Sequence, residues 1–120
     1  MGNRVLVADD EANIRDLVCR ILVRAGFNAE PATDGQDAIE KLDAEVFDAV
    51  ILDLMMPRVD GFGVLQHLKE HHPEMVAKTL VLTAFPRTAV RERLDQVCKV
   101  VSKPFELPQL LSALHDCTIS

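Results

Sequence analysis

Short apolar runs alternate along this chain with longer stretches in which apolar residues recur every three to four positions. Val5-Leu6-Val7-Ala8 is the first run, and it gives way to Asp9-Asp10-Glu11. Ile14, Leu17, Val18, Ile21, Leu22 and Ala25 then follow at the spacing of an amphipathic helix. Gly26 stands where a helix C-terminus calls for positive φ. Phe27 to Ala32 predicts a weaker second strand. Asp34-Gly35 reads as a turn, and Ala38, Ile39 and Leu42 pattern a second, shorter helix. Ala49-Val50-Ile51-Leu52 is the third run and ends at Asp53; Pro57 and Asp60-Gly61 mark a loop. Val64, Leu65 and Leu68 pattern a third helix that stops before Pro73. Leu80-Val81-Leu82 is the fourth run, ending at Thr83, and Val90, Leu94 and Val97 predict a fourth helix after Pro86. Val100-Val101 is the fifth strand, ending at Ser102-Lys103-Pro104. Leu107, Leu110, Leu111 and Leu114 form the last helix, with Cys117-Thr118-Ile119-Ser120 following it.

The first, third and fourth runs are apolar at consecutive positions. Strands of that kind are buried on both faces, as in a parallel sheet covered by helices. Strands alternating with helices give the α/β class with right-handed crossovers. A hairpin at Asp34-Gly35 is the alternative for that turn, but the spacing after it is helical.

At 120 residues the chain predicts a single domain over 1–120. With 48% apolar and 27% charged residues, a generally disordered chain is excluded. No apolar run approaches the roughly 20 residues of a membrane span, and no signal-peptide pattern opens the sequence. The 13 Lys+Arg against 19 Asp+Glu give a net charge of −6, and Trp and Tyr are absent. That balance argues against a nucleic-acid surface, which wants clustered cations and stacking rings. Cys19, Cys98 and Cys117 are odd in number and contain no C-x-x-C pair. They read as ordinary thiols in a reduced, cytoplasmic setting.

In an open parallel sheet the ligand site lies at the carboxyl ends of the strands. Strand 1 ends in Asp9-Asp10, strand 3 in Asp53, strand 4 in Thr83 and strand 5 in Lys103. Three carboxylates, a hydroxyl and an ammonium therefore share one rim. A solvated acidic rim is the plain reading of any one of them. Together, three carboxylates raise one another's pKa unless a cation sits among them. Oxygen ligands select a hard ion, and Mg²⁺ is the expected one. The set also suits phosphoryl transfer. A carboxylate can attack as a nucleophile and form an acyl phosphate, while metal, Lys and hydroxyl neutralise or bond the phosphoryl oxygens. No Walker-A loop is present, so a nucleoside triphosphate is not the expected direct donor.

These pieces resemble the receiver domains of response regulators, the chemotaxis type included. The resemblance runs from Arg4 to about Asp116. It rests on Val7-Ala8-Asp9-Asp10-Glu11, Val50-Ile51-Leu52-Asp53-Leu54-Met55-Met56-Pro57, Asp60-Gly61, Leu82-Thr83-Ala84 and Ser102-Lys103-Pro104-Phe105, in that order. It implies a five-stranded parallel sheet in the flavodoxin-like order 2-1-3-4-5 with helices on both faces. Asp53 would then be the phosphoacceptor. Asp10 would bind Mg²⁺ directly, Asp9 largely through water, and the Met55 backbone carbonyl would be a further ligand. Thr83 and Lys103 would contact the phosphoryl group. Lys103-Pro104 would be cis, against about 5% of X-Pro bonds in general. The donor would be a sensor histidine kinase or phosphotransfer protein, with acetyl phosphate as a small-molecule substitute.

The sequence also departs from the family pattern. Many receivers carry Tyr or Phe three residues before the lysine, where this chain has Val100. A common Gly-Ala pair is replaced by Gln96-Val97, and the stretch from Thr83 to Lys103 is shorter than in the chemotaxis type. The fourth helix is accordingly expected to be short or displaced. Met55 and Phe85 are expected to flank the path of an attacking water and to slow loss of the phosphate. His67 and His71, spaced i, i+4, are a candidate metal pair, but with no third ligand in view a solvated helix face is the expectation. Arg87, Arg91 and Arg93 read as a solvated or partner-docking face.

Three functions compete. One is a phosphorylatable switch that modifies itself at Asp53 and dephosphorylates slowly, without turning over an external substrate. Another is a receiver-fold interaction module that ignores phosphorylation. A hydrolase with an Asp nucleophile is disfavoured, because such sites resemble D-x-D and here Asp9 and Asp10 are adjacent.

Overall fold

The structure is a computed structural model that describes residues 3–84, 94 and 96–118. Its strands are β1 (Arg4–Ala8), β2 (Asn28–Ala32), β3 (Ala49–Asp53), β4 (Thr79–Thr83) and β5 (Lys99–Ser102). They form one sheet in the order β2-β1-β3-β4-β5, every pairing parallel. The expected α/β architecture and strand order are both present.

The helices are α1 (Ala12–Arg24), α2 (Gly35–Ala44), α3 (Gly61–His71), the short α4 (Pro73–Val76) and α5 (Leu107–Thr118). Side chains alternate across each strand, and this divides the core into two layers. Leu6, Val50, Leu52 and Val81 point to one side, where Ala38 and Leu42 of α2 and Val64, Leu65 and Leu68 of α3 cover them. Val5, Val7, Ile51, Leu80 and Leu82 point to the other, under Val18 and Leu22 of α1 and Leu110 and Leu114 of α5. Burying each large aliphatic side chain contributes roughly 2 kcal/mol, so consecutive apolar residues fix the strands between the layers.

Local chemistry sets the ends. Gly26, after α1, has φ +95°, the left-handed conformation expected there. Asp34 is not a turn residue. It caps α2, accepting from the Asp37 N–H at 2.8 Å, and Gly35 is the first helical residue. Asp60 caps α3 in the same way through the Gly63 N–H at 2.9 Å. Helix α3 stops before Pro73, as expected, and Pro73 then occupies the first turn of α4, where its missing N–H costs nothing.

The cysteine expectation is corrected. Cys98 and Cys117 form a disulfide with their Cα atoms 5.7 Å apart. Cys98 immediately precedes β5 and Cys117 lies in the last turn of α5, which folds back along the sheet. Lys99 and Asp116, next to each cysteine, form an ion pair at 3.5 Å. Only this tertiary return brings together two thiols 19 residues apart. Cys19 stays a free thiol.

The predicted fourth helix and Arg87, Arg91 and Arg93 lie mainly outside the described residues. Leu94 is buried in the α2/α3 layer, and Val97 and Val100 pack against it. No helix among the described residues is long and apolar enough to cross a membrane.

Candidate functional site

The carboxyl edge of the sheet brings the predicted residues together. Asp9 follows the last residue of β1 and is buried; Asp10 beside it is exposed. Asp53 is the last residue of β3 and is only 3% exposed. Donor atoms of Asp9, Asp10 and Asp53 all lie within 4.8 Å of one another. Thr83 ends β4, fully buried, and pairs in register with Ser102. The Lys103 N–H donates to the Thr83 carbonyl at 2.8 Å, so β5 delivers its lysine to the same rim.

Lys103 spans the cluster. Its Nζ lies 3.3 Å from Asp9 Oδ2, 3.4 Å from Asp53 Oδ2 and 3.7 Å from Glu11 Oε1. Its peptide bond to Pro104 is cis, as the resemblance implied. Backbone donors hold the carboxylates from the other side. The Glu11 N–H donates to Asp9 Oδ1 at 3.0 Å, and the Met55 N–H donates to Asp53 Oδ1 at 3.2 Å. Met55 thus turns its backbone into the site while its side chain stands 56% exposed. A groove lined by Asp10, Met55, Pro57, Asp60 and Phe62 runs away from the rim. Phe85, the other expected flank, lies outside the described residues.

Electrostatics express the crowding. Asp53 is pushed up to about 6, first by burial and then by the Asp9 charge; the Met55 N–H and Lys103 pull the other way without prevailing. For Lys103 burial favours the neutral form, but Asp53, Asp9 and Glu11 together outweigh it and raise its pKa. One ammonium among three carboxylates leaves a net negative site with hard oxygen donors. That donor set fits Mg²⁺ and suits no soft ion.

Sequence reasoning missed three contributors. Glu11 was part of a quoted motif but had no role; it helps hold Lys103. Arg15 reaches back from α1 to the Asp9 carbonyl at 2.8 Å. Gly61 begins α3 hard against the site: a Cβ there would lie 2.5 Å from the Asp53 carbonyl oxygen and 2.6 Å from the Leu54 Cα. The Asp60-Gly61 pair was legible as a loop signal, but the close approach was not.

Fold and cluster together define a class: a doubly wound α/β domain with a cation-seeking acidic rim at its strand ends. Comparison with known proteins supplies the family. Residues 5–115 match the model of the response regulator receiver domain, and the chain belongs to that family. It is a receiver domain of two-component signalling, a family whose members act through phosphorylation and typically bind Mg²⁺. It is 37% identical over 116 residues to the transcriptional regulatory protein TrcR of Mycobacterium tuberculosis, covering 93% of this chain and 44% of that protein. The chain thus spans less than half of that relative's length. It is 29% identical to the response regulator receiver protein CpdR of Brucella abortus over 98% of both chains. Among solved structures it is similar to the response regulator TrrA of Thermotoga maritima, determined in complex with Mg²⁺-BeF. The TM-score is 0.87 at 29% identity, over 96% of this chain and 98% of that one.

Proposed function

We propose that residues 1–120 act as one phosphorylation-dependent switch, in which Asp53 accepts a phosphoryl group from the phosphohistidine of a sensor histidine kinase or phosphotransfer protein. The observation that carries this reading is Lys103 Nζ bridging Asp9 and Asp53 at 3.3 and 3.4 Å around a buried strand-end carboxylate. An Asp53 oxygen attacks phosphorus, the N–P bond of the donor breaks, and the leaving imidazole keeps the electron pair and takes up a proton. The product is an acyl phosphate on Asp53. Asp9, Asp10, Asp53 and the Met55 carbonyl would hold Mg²⁺, which when bound neutralises charge on the transferred group. Lys103 pairs with a phosphoryl oxygen as its contact to the Asp53 oxygen loosens. The Thr83 hydroxyl bonds another oxygen, reporting phosphorylation to β4. The Met55 N–H keeps the attacking carboxylate oriented.

The competing reading is a receiver-fold interaction module indifferent to phosphate. Incubation with acetyl phosphate and Mg²⁺, followed by intact-protein mass spectrometry, separates the two. The switch reading expects one added phosphate on the wild type and none on Asp53→Asn. A wild type left unmodified by acetyl phosphate and by phosphorylated donor proteins would establish the module reading.

A further inference from the structure

His67 does not sit on the solvated helix face expected when no third ligand was in view. Its side chain is 20% exposed and turns toward α2. There Asp43, in the last turn of α2, meets both His67 of α3 and His72, the residue that follows α3. The Nε2 atoms of His67 and His72 lie 2.8 and 2.7 Å from the same Asp43 oxygen, Oδ1. The two rings are tilted 54° apart, with centroids 6.0 Å from each other, so they approach that point from different directions. One donor atom from each residue falls within a 4.8 Å span. A small cavity lined in part by Asp43, His72 and Glu74 opens beside them.

We propose that Asp43, His67 and His72 form a second divalent-cation site, for a transition ion of the Zn²⁺ class, that clamps the end of α2 to the end of α3. Two imidazole nitrogens and one carboxylate oxygen, with the remaining direction open to water, make the ligand set of an open zinc site. Imidazole is a borderline donor that suits Zn²⁺ or Co²⁺ over Mg²⁺, which prefers oxygen and keeps its waters. The site is separate from the acidic rim. Helix α2 starts at the carboxyl end of β2 and runs back, so Asp43 lies toward the opposite edge of the sheet. Tetrahedral donors around zinc stand about 3.4 Å apart, so the present contacts need to open by only about 0.6 Å. On binding, each imidazole coordinates through the Nε2 lone pair, its ring proton resides on Nδ1, and the two hydrogen bonds to Asp43 are exchanged for bonds to the ion. The His71 ring lies beside that of His67, tilted 38° with centroids 4.5 Å apart, but its Nε2 faces Glu70, so it is not a ligand.

The test uses Co²⁺ as a coloured probe on the whole chain, in excess Mg²⁺ to occupy the acidic rim. A visible absorption band of low-coordinate Co²⁺ should saturate at one equivalent and be displaced by Zn²⁺. His67→Ala, His72→Ala and Asp43→Asn should each weaken binding by roughly tenfold or more, since even residues behind a ligand are worth about that much. His71→Ala and Asp10→Ala should retain the band. A readout that needs no variant is the NMR of the imidazole nitrogens: Zn²⁺ should shift Nε2 of two of the 4 histidines. No stoichiometric band, a band unchanged in both histidine variants, or shifts confined to His71 and His115 would each overturn the proposal.

Discussion

Replacing Asp53 by Asn should stabilise the metal-free protein at neutral pH and leave it unchanged in acid. Asp53 titrates at about 6 instead of 3.8 because burial and the Asp9 charge disfavour its ionised form. At 1.36 kcal/mol per pH unit, carrying that charge at neutral pH costs about 3 kcal/mol, a figure that already contains the attraction of Lys103. The sign follows from proton binding. Between about pH 4 and 6 the folded state holds the Asp53 proton more tightly than the unfolded state does. The stability that proton lends is therefore complete below the unfolded value and gone above the folded one. Asn carries no charge, so at pH 7.5 it escapes the cost. Part of the gain is lost again, because one amide cannot accept from both the Met55 N–H and Lys103. The expected net gain is about 1–3 kcal/mol, or roughly 4–12 °C in Tm for a chain of this size. Urea melts of both proteins in chelator, at pH 4 and pH 7.5, make the measurement. Carboxylates remote from Asp53 cancel in the difference. A gap of equal size at both pH values, or an Asn variant less stable at pH 7.5, would refute the reasoning.

Three further outcomes are expected. Mg²⁺ should raise the wild-type Tm by mass action, and Asp10→Ala should remove that response in differential scanning fluorimetry; an unchanged response would place the ion elsewhere. Gly61→Ala pushes a Cβ onto backbone atoms of Asp53 and Leu54. It should cost about 1–3 kcal/mol in urea unfolding and slow phosphorylation by acetyl phosphate; a loss under about 0.5 kcal/mol would mean that α3 can simply slide away. Met55→Asn places a hydrogen-bonding group where an exposed thioether now stands. It should speed release of phosphate from the acyl phosphate by up to about tenfold, which needs only about 1.4 kcal/mol of barrier, while leaving Mg²⁺ affinity alone; an unchanged release rate would place the attacking water on another side.

What could be read from the sequence and what could not divide along a physical line. A strand buried on both faces announces itself by consecutive apolar residues, and the residue that breaks the run sits at its carboxyl end. Because parallel strands all point the same way, Asp9, Asp53, Thr83 and Lys103 had to share one edge once the runs were identified. No long-range contact needed to be guessed. The same logic fails at helix ends. Asp43 and His72 are 29 residues apart, and which turn of α2 faces which turn of α3 depends on how Ala38 and Leu42 seat against Val64, Leu65 and Leu68 over the sheet. Periodicity gives the apolar face of each helix but not its axial offset from a neighbour. The Cys98–Cys117 bridge was hidden for the same reason: α5 returns along β5, and the stagger of that return decides whether two thiols meet. Gly61 shows the limit from another side. A glycine in a loop reads as turn chemistry, yet this one opens α3, and its N–H donates to the Leu54 carbonyl at 2.9 Å. What excludes a side chain there is the backbone of β3 and the residue after it. The Asp53 carbonyl oxygen occupies the space a Cβ at that position would need, so the start of α3 is seated directly against the end of β3, where Asp53 stands.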